Sequence, residues 1–402
     1  MNKRLRHLRH DERGMSFVFV GLGFMAFMSA TILAIDVGML MTARAQAQTS
    51  ADAGALSGAT ALAYNNFTDH SATGPAVTSA INAAVANLVM GQGPSVTPPD
   101  VTFPLDPTTN AYDLVQVNVY RTAARSNPFP TLIAGLFGTS TADVQATATA
   151  QVMPANAMDC VLPFTIPDKW QEHVDSNGNY DGPTWNPNDS FDIAASQGNQ
   201  ANVGAAFANP DVYVPPQPAG SSTQTTGFDA VADRGTKITL KPGAQNAPTP
   251  SFYQAWDIGG VTGASAYSTN IGTCNTNMTE VGNPMLPETG NMVGPTNQGV
   301  AALIAQDSNA MWDTSCNCVT GSAFATSPRV RAIPLYDPYV YASDQHSGKS
   351  QPTLQIVGYL GFFIDSVQAG QVTGYITPIS GTWKKGGPTL NGGFSKVIML
   401  VQ

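Results

Sequence analysis

Apolar and polar positions divide this chain into unlike parts. From Gly14 to Ile35 run 22 residues without a charge, mostly Phe, Val, Leu, Met, Ile, Ala and Gly. At 1.5 Å per residue a helix of that length spans roughly 33 Å, enough for a hydrocarbon core of about 30 Å. The run stops at Asp36. Small apolar residues nevertheless continue at spacings of three and four through Leu40, Ala43, Ala47, Ala51, Ala55, Ala59 and Leu62. Between Met39 and Gly54 no Pro or Gly interrupts the pattern, so it predicts one helix leaving the apolar run unbroken. Gly54 and Gly58 lie one turn apart beside the alanines. The packing face is therefore Ala43, Ala47, Ala51, Gly54, Ala55, Gly58 and Ala59, a surface that admits another backbone at close range. It can lie on the protein's own domain or meet neighbouring membrane-anchored subunits, and the sequence leaves both open.

Residues 66–153 alternate between the two periods of regular structure. "AVTSAINAAVANLVM" (76–90) has helical spacing, and "FPTLIAGLFG" (129–138) reads as a short apolar helix stopped at Gly138. "YDLVQVNVYRTA" (112–123) alternates as a strand, with Val115, Val117 and Val119 on one face and Leu114, Gln116 and Asn118 on the other. "TADVQATATAQVM" (141–153) alternates in the same way, and Pro154 marks a boundary. Beyond it, residues 155–402 are rich in Gly, Pro, Asn and Thr. Strand patterns at 329–336, 353–365, 371–379 and 396–401 predict one antiparallel sheet, with 180–300 as long loops over it. The expected class is α+β: a long N-terminal transmembrane and stalk helix (14–35 and 36–65), a small α+β unit (66–153), and a β-rich, loop-rich domain (155–402).

Composition supports an extracytoplasmic body. Only 11% of residues are charged, while Gly (38) and Pro (29) together make up about one residue in six. The net charge of −9 hides an asymmetry, because residues 1–13 carry +3 and the remainder −12. An acidic body does not suit a phosphate backbone, which argues against nucleic acid as a partner. Lys3, Arg4, Arg6, Arg9 and Arg13 stand just before the apolar run, where they place the N-terminus in the cytoplasm and the rest outside. A cleavable signal is the rival, with "ARA" (43–45) as its cleavage site. Signal h-regions are shorter, about 7–15 residues, and Asp36 precedes that site.

The segment "RGMSFVFVGLGFMAFMSATILAIDVGMLMTARAQAQTSADAGALSGATALA" resembles the N-terminal segment of the TadE/TadG-like family of Flp (tight adherence) pilus-assembly proteins. The resemblance rests on Arg13-Gly14 before the apolar run, Ile35 to Gly38 at its outer end, the Thr42 to Gln48 stretch, and the Ala51 to Leu56 step. It covers about fifty residues. It implies a single-pass inner-membrane protein with a periplasmic body, working in the lipid bilayer with other Tad pilus-assembly or pilin-like membrane proteins, and the helix–strand order of 66–153 is compatible with a small pilin-like layer. Processed prepilins of the related type IV kind carry Glu five residues after the cleavage Gly. Here that position is Phe19, which points to the unprocessed, TadG-like branch. Members with a von Willebrand A domain carry DxSxS; "DTSCN" (313–317) fails at its last position.

Candidate chemistry is sparse. Cys160, Cys274, Cys316 and Cys318 are four in an oxidising compartment, which suggests two disulfides rather than zinc. A bridge across the single residue between Cys316 and Cys318 would be strained, so Cys160 and Cys274 are each expected to pair with one of them. The stretch "DSNGNYDGPTWNPNDSFD" (175–192) offers calcium oxygens from Asp175, Asn177, Asn179, Asp181, Asp189 and Asp192, with Gly182 at the sharp turn. Asn188 stands where a bidentate Glu is needed, and a plain Asn/Gly turn explains the same string. No HExxH, GxSxG, P-loop or dinucleotide fingerprint occurs, and the histidines are scattered among polar residues, so no enzyme is expected. The function expected is structural, in assembly of a Flp/Tad-type adhesive pilus. A secreted adhesin released near Ala45 and a periplasmic enzyme with a cryptic site are the alternatives.

Overall fold

A computed structural model describes residues 13–65, 68–107, 113–131, 134, 138–172, 185–191, 193, 211–218, 225–243, 247–387, 390–391 and 393–401. Helix α1, Arg13–Tyr64, is a single element of 52 residues, as the unbroken pattern predicts. Helix α2, Pro75–Ala86, starts on a proline, whose missing N–H costs nothing there. It ends four residues earlier than its apolar spacing suggests. The chain reverses where Met90 and Gly91 adopt positive φ, and Val89 and Gln92 bond to each other across the turn.

Strand β1 (Val101–Thr102), β2 (Leu114–Arg121) and β3 (Val144–Pro154) are antiparallel neighbours, with Val117 opposite Ala148. The valines of β2 point inward as read from sequence: Val115, Val117 and Val119 are completely buried. Of the apolar helix expected over 129–138, the described part keeps only Ala134 in a 3-10 helical conformation. Phe129–Pro130 is a two-residue strand, and 132–133 and 135–137 lie outside the described residues.

The rest of the chain builds a closed barrel. Its six strands are β4 (Phe164–Pro167), β5 (Lys237–Pro242), β6 (Phe252–Asp257), β9 (Val330–Tyr336), β10 (Ile356–Gln368) and β11 (Gln371–Ile376), with a small hairpin, β7 (Met311–Asp313) and β8 (Cys318–Thr320), between the third and fourth. The order around the ring is β6-β4-β9-β10-β11-β5, and Phe252 opposite Lys241 closes it. Two seams, β4–β9 and β5–β6, are parallel. The sequence reading of one antiparallel sheet is therefore too simple, and 180–300 is more than loops. It supplies β5, β6 and two helices, α3 (Ala264–Gly272) and α4 (Val293–Gln306). Phe164, Ile238, Leu240, Ile333, Leu335, Leu360, Phe362 and Ile376 pack in one apolar core. Helix α5 (Pro338–His346) follows β9, capped by Asp337, which accepts from the Val340 N–H at 2.9 Å.

The last strand pattern also goes elsewhere. β12 (Lys396–Val401) pairs with β3, Lys396 opposite Pro154 and Val401 opposite Thr149, and so extends the first sheet instead of the barrel. Edge strand β3 needed a partner, and the returning chain supplies it. The residues after 154 are thus not a self-contained domain.

Candidate functional site

The candidate site is helix α1, because its two halves have opposite surroundings without any break between them. Every described side chain from Met15 to Ile35 is exposed, with Phe17 at 81% and Phe24 at 62%. Among the described residues this is one helix long and apolar enough to cross a membrane. Two of its hydroxyls are satisfied within the helix: Ser29 Oγ donates to the Met25 carbonyl at 2.8 Å and Thr31 Oγ1 to that of Phe27 at 3.0 Å. That back-bonding is what a hydroxyl needs where no water is available.

From Ala43 the helix is cradled. Ala43, Ala47, Ala51, Ala55 and Ala59 are all but completely buried, and Gly54 and Gly58 are buried with them. The face is the one read from the sequence. Its occupant is the protein's own α2 and the β2–β3 sheet, not a neighbouring subunit. A Cβ at Gly54 would sit 3.0 Å from Ala84 Cβ and 3.2 Å from Val117 Cγ1; one at Gly58 would sit 2.9 Å from Val115 Cγ1 and 3.0 Å from Ala80 Cβ. The glycines are what let α1 lie this close to both layers. Polar contacts set its register: buried Ser50 Oγ donates to the Ala84 carbonyl at 2.8 Å, and the Met90 N–H donates to Gln46 Oε1 at 2.7 Å. At its far end Tyr64 OH reaches the Ile379 carbonyl at 3.3 Å and that of Lys396 at 3.4 Å, joining the helix to the barrel side.

Asp36, the charge that ends the apolar run, is not left bare. Its Oδ2 accepts from the Ala134 N–H at 2.6 Å. The folded body therefore begins where the apolar run ends, and Ala43 is only about 10 Å further along the helix. Segment 36–65 is the central helix of the first body rather than a free-standing stalk. Arg121 is a buried cation that the sequence reading passed over. The residue is 1% exposed, its guanidinium donates to the carbonyls of Val89 at 2.5 Å, Asn127 at 3.2 Å and Pro128 at 3.2 Å, and desolvation lowers its pKa. The signal was present, since Arg121 continues the buried odd-numbered register of Val115, Val117 and Val119.

The cysteines pair differently from expectation. The bridges are Cys160–Cys274 and Cys316–Cys318, and no cysteine is free. Cys316 lies in the turn of the β7–β8 hairpin and Cys318 opens β8; between them Asn317 takes a left-handed φ of 48°, and the two Cα atoms come 5.2 Å apart, an ordinary disulfide distance. The expectation of strain did not allow for a left-handed residue between the two cysteines. Cys160 is brought to Cys274 as its N–H bonds the Asn275 carbonyl at 2.8 Å.

Of the calcium candidates, Asp175, Asn177, Asn179, Asp181 and Asp192 lie outside the described residues. Asp189 closes a turn, accepting from the Asn186 N–H at 2.6 Å and Nδ2 at 2.5 Å. Among the described residues no group of three His, Cys, Asp or Glu side chains is arranged to hold a metal. His70 packs on Phe103 and His346 bonds the Ala342 carbonyl, so both are half-buried rather than exposed, and they stand in different bodies. The most perturbed acid is Asp168. Burial pushes its carboxyl up to about 6, against hydrogen bonds from the Phe228 and Lys169 N–H groups and from Tyr213 OH. It sits in packed surroundings between β4 and α5, apart from the groove of about 330 Å³ between α3 and α4 that Ser268, Thr273, Gln298 and Gln306 line.

Residues 14–61 match a protein-family model described as putative Flp pilus-assembly TadE/G-like. The match spans the exposed half of α1 and most of its cradled half, and it supports a role in Flp/Tad pilus assembly. No curated protein and no solved structure matches the chain.

Proposed function

We propose that this chain is a single-pass, membrane-anchored accessory component in assembly of a Flp/Tad-type adhesive pilus, of the unprocessed, TadG-like kind. The observation that carries the reading is the abrupt change along one unbroken helix, from wholly exposed apolar side chains before Asp36 to a wholly covered alanine face after it. Exposed Phe, Leu and Met over about six turns are unfavourable in water and favourable in lipid. The basic residues from Lys3 to Arg13 orient the helix with its N-terminus in the cytoplasm and both folded bodies outside the inner membrane. Because the Gly54/Gly58 face is taken by α2, partner pilin-like helices meet the chain along Met15 to Ile35, within the bilayer. The work is structural rather than catalytic. Release by cleavage after Ala45 would cut α1 between two buried alanines and strip Ala43 from the core, which speaks against a shed adhesin.

The test is a reporter active only outside the cytoplasm, fused after Gln402, together with sequencing of the mature N-terminus from washed membranes. An active reporter on a protein that still carries residues 1–45 is expected. A silent reporter overturns the orientation, and a mature start at Gln46 overturns the anchor.

A further inference from the structure

The Cys316–Cys318 bridge does little for the fold around it. It closes a loop of one intervening residue at the tip of the β7–β8 hairpin. The hairpin is held by other means: Met311, Trp312 and Asp313 pair with Thr320, Val319 and Cys318, and the Trp312 ring stacks on Tyr375 at 5.1 Å and 7°. Asp313 also takes the Ser315 N–H at 2.8 Å and its hydroxyl at 2.6 Å, fixing the turn without sulfur. Cys160–Cys274, by contrast, joins residues 114 apart. A disulfide and a fold support each other reciprocally. A bridge that closes a long loop is held shut by folding, and one that closes a very short loop gains almost nothing from it.

The surroundings of the short bridge suit exchange. Cys316 is exposed, while Cys318 lines a groove of about 350 Å³ shared with Arg234, Phe324, Val330 and Pro378. Phe324 is 51% exposed, so the groove carries an apolar wall open to solvent. Arg234 Nε donates to the Asn317 carbonyl, between the two cysteines, at 2.8 Å. A guanidinium bonded to that turn favours the thiolate form of a cysteine released there. An accessible sulfur, a cation that shares the groove with Cys318 and an apolar wall at the rim fit a cysteine-bearing segment of another protein.

We propose that Cys316–Cys318 is an exchangeable disulfide that oxidises a dithiol on a partner protein in the same compartment. A partner thiolate attacks Cys316 Sγ, the Cys316–Cys318 bond breaks, and Cys318 leaves as a thiolate in the groove it shares with Arg234. The partner's second thiolate then attacks its own sulfur in the mixed disulfide, which forms the partner's disulfide and releases Cys316. Two electrons pass to this chain, and the partner's two thiol protons end on Cys316 and Cys318 or in solvent. A low-molecular-weight disulfide such as oxidised glutathione returns the pair to its starting state by the reverse steps. This activity goes beyond the structural role above and does not depend on it.

The full chain in detergent micelles is equilibrated with graded ratios of reduced to oxidised dithiothreitol, and freed thiols are alkylated and located by mass spectrometry. Cys316–Cys318 is expected to open at a ratio about 100-fold less reducing than Cys160–Cys274. A synthetic Cys-x-x-Cys dithiol peptide is expected to be oxidised one-for-one by the native chain and not by Cys316→Ser/Cys318→Ser. With oxidised glutathione, Cys318→Ser should form a mixed disulfide several-fold faster than Cys316→Ser. Opening of both bridges within threefold of each other overturns the proposal, as does equal peptide oxidation by the double variant. Loss of amide protection over 311–320 on reduction would identify the bond as a brace for the hairpin and overturn it as well.

Discussion

Gly58 gives the sharpest test of what covers the alanine face. In an isolated helix, Gly58→Ala should stabilise by about 1 kcal/mol, because the glycine's extra backbone freedom is removed. In this fold the new methyl would lie 2.9 Å from Val115 Cγ1 and 3.0 Å from Ala80 Cβ. Both neighbours sit in packed layers and neither can swing away, so overpacking of about 1–3 kcal/mol opposes the gain. The expected net effect is a loss of about 0–2 kcal/mol. Gly58→Leu adds three more carbons where there is no volume and should cost about 3 kcal/mol or more, by lifting α2 off the helix. Gly38→Leu is the control, since nothing lies within 4 Å of its Cβ position. All five tryptophans lie beyond Lys169, so their fluorescence is blind to this region. The assay is amide exchange over β2 and α2 in the detergent-solubilised full chain, with helical circular dichroism alongside. Gly58→Leu should lose protection in both segments while Gly38→Leu keeps it. Native protection in Gly58→Leu would refute the packing described here and restore the face to a partner subunit.

Three further outcomes follow from the same contacts. Deleting Lys396–Val401 leaves β3 as a bare edge, so exchange over Val144–Pro154 should rise although the deletion lies more than two hundred residues away; unchanged exchange would show that the first body needs no returning strand. Cys160→Ser/Cys274→Ser should lower stability by about 2–4 kcal/mol through the loss of a long-loop constraint, read as a drop in thermal midpoint that Cys316→Ser/Cys318→Ser does not share. Asp168 binds its proton more tightly folded, at about 6, than in the unfolded chain near 3.8. Its contribution therefore favours the fold below pH ~4 and is lost as pH rises toward 6. Asp168→Asn should flatten that part of the stability profile, and an unaltered slope would assign it to other groups.

Much of this architecture was legible because it rests on local periodicity. Helix α1 needed only an unbroken three-and-four spacing, and the buried face of β2 followed from three alternating valines. Failures came where distant segments decide. Nothing near residue 396 says whether "KVIMLV" joins the barrel or the first sheet, since an apolar strand fits either, and only the unpaired edge of β3 settles it. Strands β5 and β6 are six residues each and bounded by Pro or Gly, too short to stand out from the loops around them. Helix α4 could have been found, because Thr296, Gly299, Val300 and Leu303 bury one face at helical spacing, but its Thr and Gly hid the stripe. At the site, the identity of the packing residues was readable and their partner was not. Small residues announce close approach without saying to what.

The pairing of β3 with β12 also bears on the order in which the molecule is made. Pro154 and Lys396 are some 240 residues apart, so the first body cannot be completed when its own residues appear. Until the barrel segment has emerged and folded, α1, α2 and three strands are left with one sheet edge unpaired. Long-range pairing of this kind is slow, and the waiting edge is open to wrong partners. A chain cut short anywhere in the barrel would keep that edge exposed. The closing strand thus ties the completion of the first sheet to the synthesis of the whole barrel: only a chain that has reached Val401 can cover the outer edge of β3.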